Sequence, residues 1–126
     1  MLTILSVLFS SADVIILDEP TLGMDGFLIE DLEKMIADLK AAGKTIIMIS
    51  HEIPLVFRVS DYAVILNKGE KLFEGTKEKL VEREDIFEKI NIMLPPVVQL
   101  SKKLGLDEVV FQVDDFMRKV LEQRNE

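Results

Sequence analysis

The chain contains no cysteine, which excludes disulfide frameworks and thiolate metal sites and fits a reducing cytoplasm. Positive charge is scarce: 15 Lys and Arg against 23 Asp and Glu leave a net charge of −8 and a pI near 4.7. A surface of that sign is repelled by phosphate backbones, so no nucleic-acid partner is expected. Long apolar runs are missing too. Residues 1–12 are largely apolar, but no Lys or Arg precedes them and Asp13 follows at once, so the charged start of a secretory leader is absent. Such a stretch also falls short of the roughly 20 residues needed to span a bilayer. What is present is 48% hydrophobic residues in 126, enough for one small domain with a single core.

Apolar residues at positions 2–9 are dense and predict a short helix buried on most sides. Residues 14–17 form a continuous apolar run rich in β-branched residues, as in a strand covered on both faces, and Asp18-Glu19-Pro20 stops it. Positions 26–42 predict a helix, with Leu28, Leu32, Met35, Ile36 and Leu39 on one stripe. Glu30 and Asp31 are expected near its start, where the helix dipole favours acids, and Gly43 is expected to end it. Residues 45–49 then predict a second strand, so strand–helix–strand forms a parallel, right-handed βαβ unit. A short helix over 53–59 follows, then strands 62–67 and 70–74 around the turn Lys68-Gly69. Thr76 or its neighbour is placed to cap a helix running to about Glu84. Leu94-Pro95-Pro96 is the largest break in the chain, and helices are predicted beyond it over 97–104 and 114–123, with Gly105 ending the first. No internal repeat or low-complexity segment is visible.

The chemistry concentrates at Val14-Ile15-Ile16-Leu17-Asp18-Glu19-Pro20. Four apolar residues drive a strand into a core, and two acids emerge together at its carboxyl end, the edge where open α/β sheets place their ligands. One acid there can hold Mg²⁺ through oxygen. A second beside it can orient or deprotonate an attacking water. A strand merely ending in solvated acids has the same local pattern, so the neighbouring segments decide.

Those segments resemble the ATP-binding cassette (ABC) family. Residues 14–20 are similar to its Walker B motif, and Thr21-Leu22-Gly23-Met24-Asp25 to the D-loop that follows, with Met24 where leucine is usual. His51, in Ile49-Ser50-His51-Glu52, stands where the family's switch histidine closes the next parallel strand. The hairpin from Asp61-Tyr62 to Gly75 is similar to the one that follows that histidine in transporter ATPases. Leu94-Pro95-Pro96-Val97-Val98 with Leu104-Gly105-Leu106 resembles the C-terminal extension of energy-coupling-factor and cobalt-type uptake ATPases.

The resemblance implies an α/β fold, part of a RecA-like P-loop NTPase core with a parallel βαβ unit, a β-hairpin and C-terminal helices. Residues 1–84 would be the C-terminal half of the nucleotide-binding domain, and 85–126 a helical extension. It implies ATP and Mg²⁺ as cofactors. Asp18 would coordinate the metal, Glu19 would be the general base or water-positioning residue, Asp25 would contact the opposite subunit across bound nucleotide, and His51 would reach the γ-phosphate. Implied partners are a second ATPase subunit, identical or related, and a transmembrane transporter subunit, with the chain cytoplasmic and peripheral to the membrane's cytoplasmic face.

Departures from the pattern matter equally. No Gly-x-x-x-x-Gly-Lys-Ser/Thr occurs, and neither the Leu-Ser-Gly-Gly-Gln signature nor a Q-loop candidate is found. The expectation is therefore a fragment lacking the phosphate cradle and catalytically silent by itself. The alternative is a head-domain half of a DNA-repair or chromosome-maintenance ATPase, or a non-catalytic interaction module derived from one. Such heads should bring coiled-coil heptads, and none is present. In the family the switch-histidine strand lies between the Walker B and phosphate-loop strands. Without the latter, Lys44-Thr45-Ile46-Ile47-Met48-Ile49 should expose a bare apolar edge and promote self-association.

Overall fold

The computed structural model describes residues 11–123. The helix expected over 2–9 lies outside the described residues. The chain divides into two compact units, one through Leu55 and one from Val56.

In the first unit, β1 (Val14–Asp18) and β2 (Thr45–Ile49) pair in parallel, joined by helix α1 (Gly26–Ala41). Register runs from Val14 opposite Thr45 to Asp18 opposite Ile49. Two further bonds lengthen the ladder: Thr45 N–H donates to the Asp13 carbonyl and Glu19 N–H to the Ile49 carbonyl, each at 2.8 Å. Helix α1 buries Leu32, Ile36 and Leu39 and packs on β2. Each such side chain contributes about 1.5–3 kcal/mol when fully removed from water. The helix ends as expected at Gly43, whose φ of 81° is open to glycine. There Lys44 N–H reaches the Leu39 carbonyl and Gly43 N–H the Lys40 carbonyl, which closes a Schellman cap.

Two expectations for this unit are corrected. The strand at 14–17 is not covered on both faces among the described residues. Ile15 and Leu17 are buried, but Ile16 is 65% exposed and Val14 is exposed beside it, because period-two alternation turns the two sets of side chains to opposite faces. Nor do Glu30 and Asp31 occupy the first turn of α1, which contains no acid. The helix begins one residue past Asp25, which caps it, so both acids fall beyond the first turn.

Helix α2 (Ile53–Val59) leads into the second unit. Strands β3 (Tyr62–Asn67) and β4 (Glu70–Thr76) form an antiparallel hairpin with an irregularity between Ile65 and Leu66. Its turn places Lys68 and Gly69 at φ of 49° and 81°, the left-handed pair that a two-residue hairpin requires. Helix α3 (Lys77–Val81) packs on both strands and is capped by Thr76, whose hydroxyl oxygen accepts the Lys79 N–H at 3.4 Å. It stops before Glu84. A separate helix α4 (Glu84–Ile90) follows, which the sequence reading left unassigned.

Helix α5 (Pro96–Lys103) starts one residue earlier than expected, with Pro96 in its first turn, where the missing N–H is harmless. It packs with α6 (Val113–Gln123). The core of this unit collects Phe57, Leu80, Val81, Ile86, Phe87 and Val98. Phe57 stacks on Phe111 at 5.4 Å and on Phe87 at 6.2 Å between ring centroids. Lys77 donates to the Phe57 carbonyl at 3.2 Å and lies 4.7 Å above the Phe111 ring, so a cation–π contact closes the stack.

Candidate functional site

The carboxyl ends of β1 and β2 lie side by side because the strands are parallel and in register, and each delivers a polar residue to the same edge. Asp18 ends β1 opposite Ile49 and is exposed. Glu19 follows at φ 44°, a left-handed conformation that a non-glycine residue adopts at a cost of about 1–2 kcal/mol. Its N–H bond to the Ile49 carbonyl holds it there. Backbone strain of this kind gathers at functional sites.

Beyond Glu19 the chain makes two tight turns, with Leu22 N–H donating to the Glu19 carbonyl at 3.1 Å and Met24 N–H to the Thr21 carbonyl at 2.9 Å. These turns bring Asp25 to the head of α1, where its carboxylate accepts the Leu28 N–H at 3.0 Å. An aspartate here satisfies one of the orphan amides of the first turn.

On the other strand, β2 ends at Ile49 and the chain turns at Ser50, whose hydroxyl oxygen accepts the Glu52 N–H at 3.0 Å. His51 lies within this turn. Its Nδ1 is 2.9 Å from Glu19 Oε2. That oxygen is shut off from solvent and makes no hydrogen bond of good geometry among the described residues, so His51, with a proton on Nδ1, is the group placed to satisfy it. The hydrogen bond to Glu19, and then the charge of Glu19, raise the His51 pKa above 6.5, with a smaller contribution from Glu52. The imidazole is otherwise open, with 73% of the side chain exposed.

The structure thus brings together two of the four residues singled out in the sequence. Asp18 makes no side-chain hydrogen bond or ion pair among the described residues, and the Asp25 carboxylate is turned to its helix. Sequence reasoning missed the turn made by Ser50. Its signal was a serine two residues before an amide that no helix satisfies.

No family model matches the chain. It is 42% identical over 82 residues to the energy-coupling factor transporter ATP-binding protein EcfA2 of Thermotoga maritima, covering 65% of this chain and 31% of that protein. Its likeness to EcfA2 of Mycoplasmoides gallisepticum is 32% over 109 residues, covering 86% and 34%. The solved structure of cbiO1 from Clostridium perfringens, described as part of the ABC transporter complex cbiONQ, superposes with a TM-score of 0.56 at 29% identity, covering 79% of this chain and 40% of that one. The chain belongs to the ABC transporter ATP-binding proteins, of the energy-coupling-factor and cobalt type. It spans about a third of the length of those energy-coupling-factor relatives. The α/β architecture is accordingly part of a P-loop NTPase core. In this ABC chain the edge shared by β1 and β2 carries the Glu19–His51 contact, with Asp18 free beside it. No helix among the described residues is long and apolar enough to cross a membrane.

Proposed function

We propose that this chain is the hydrolysis side of an ATPase site in an ABC-type uptake transporter, with Glu19 handling the attacking water and His51 reaching the γ-phosphate. The carrying observation is the 2.9 Å contact between His51 Nδ1 and Glu19 Oε2 at the ends of adjoining parallel strands. A carboxylate held by one imidazole keeps its other oxygen available to orient water, and the exposed imidazole keeps Nε2 available to donate to a phosphate oxygen. Asp18 would hold Mg²⁺. A free, exposed carboxylate is a suitable hard oxygen ligand, and no cluster of three metal-binding side chains exists among the described residues, so phosphate and water oxygens would complete the shell. The metal that Asp18 would hold would supply positive charge to offset that of the phosphates. Asp25 would use its remaining carboxylate oxygen across a nucleotide shared with a second ATPase subunit.

That subunit and a transmembrane transporter subunit are the proposed partners, with the chain peripheral to the cytoplasmic face of the membrane. The apolar face formed by Val14, Ile16, Ile47 and Ile49 is exposed among the described residues, and self-association through the open side of β2 is part of the same reading. The test joins the chain to a phosphate-loop segment of an energy-coupling-factor ATPase. Glu19→Gln should then lower turnover at least ~100-fold with ATP binding intact, the usual worth of general-base help. Turnover at the parental rate removes Glu19 from the role.

A further inference from the structure

The imidazole of His51 is mostly exposed, so side-chain packing does little to fix its direction. What fixes it is the backbone around it. Ile49 is anchored by the Glu19 N–H, and one turn later the Ile53 N–H donates to the His51 carbonyl at 3.0 Å. Between these two backbone bonds lies one side-chain bond, from the Glu52 N–H to Ser50 Oγ. Removing it frees the three residues between the end of β2 and the start of α2, and His51 is the middle one.

We propose that Ser50 is a positioning residue for His51: its hydroxyl closes the turn that aims the imidazole at Glu19. The role rests on the reading of Glu19 and His51 as a functional pair, but its consequence is measurable without nucleotide. Ser50 acts through the backbone and touches neither phosphate nor water. Hydroxyl chemistry is needed at this position rather than serine's size, because an oxygen two residues before the amide is what closes such a turn. The charged groups that face His51 are Glu19, from the end of β1, and Glu52, from its own turn. Both remain in any Ser50 variant.

The experiment compares the parent chain with Ser50→Thr and Ser50→Val, two side chains of nearly equal shape of which only threonine carries the hydroxyl. His51 is the single histidine, so its imidazole protons titrate without overlap in a proton NMR spectrum, and exchange of the Glu52 amide is followed on the same samples. In the parent, His51 should titrate above 6.5, raised by its contact with Glu19. Ser50→Val should bring it back toward that value and speed Glu52 amide exchange a few-fold to about tenfold, the loss of one modest hydrogen bond. Ser50→Thr should restore both. If valine leaves the His51 titration raised, or threonine fails as valine does, the positioning role is overturned. A parent chain whose histidine already titrates at 6.5 instead overturns the Glu19–His51 pair itself. Far-UV circular dichroism guards against a misfolded variant, and if the valine chain does not fold, Ser50→Ala provides the same comparison with less bulk.

Discussion

Glu19 and His51 hold each other across two strand ends, and the contact has a definite pH dependence. The folded state raises the His51 pKa, through the Glu19 hydrogen bond first and its charge second. Protonation therefore favours the folded arrangement. The contribution of the pair is complete below 6.5 and is lost as pH rises through the raised value. Glu19→Gln removes the charge, and the His51 titration, followed by NMR, should fall toward 6.5. An unchanged titration would show that Glu19 is not the cause. Asp25 offers a second residue-scale test. Its carboxylate caps α1, so Asp25→Ala should cost about 1 kcal/mol of stability in a denaturant titration, while Asp25→Asn should be nearly neutral. Equal losses in both variants would mean that the charge, not the cap, matters. Both residues were legible in the sequence as motif members. The cap and the strained backbone at Glu19 were not, since each depends on where the chain turns after β1.

The secondary elements show where local signals suffice. Strand β2, helix α1 and the hairpin turn at Lys68-Gly69 follow from periodicity and turn chemistry, and Thr76 caps α3 as its position suggests. Helix α4 shows where those signals failed. Its first turn carries Glu84 and Asp85, and its apolar content is Ile86, Phe87 and Ile90, too short a stripe to stand out beside the double proline that follows. The helix ends at Asn91, left-handed at φ 53°, with Ile92 N–H returning to the Phe87 carbonyl at 3.0 Å. Asparagine tolerates that conformation better than other side chains do. Asn91→Gly should therefore hold or raise the midpoint of thermal unfolding, and Asn91→Val should cost about 1–2 kcal/mol. A valine variant as stable as the parent would mean that the left-handed cap does not form.

At the scale of the whole molecule, the described residues of the first unit expose one apolar sheet face. Strand β2 pairs with β1 alone among the described residues, and Ile47 and Ile49 join Val14 and Ile16 on the face that α1 leaves open. Such an edge and face are a template for another chain. Light scattering at micromolar concentration should find the 126-residue chain larger than a monomer, and Ile47→Lys should reduce its size without unfolding it. A monomeric parent would refute the edge argument.

The sequence by itself determined the order of elements apart from α4, the acids at the end of β1, the histidine after β2 and the family those motifs resemble. Each of these is written in residues close along the chain, where strand alternation, helical spacing and a few polar residues are enough. Tertiary structure decided that Glu19 and His51 meet. It also decided that α1 packs on β2 and that Phe57, Phe87 and Phe111 stack in one core. The Glu19–His51 contact and the aromatic stack bring together residues some 30 or more positions apart, the first through parallel register and both through the directions of turns. No local pattern in the chain specifies that distance.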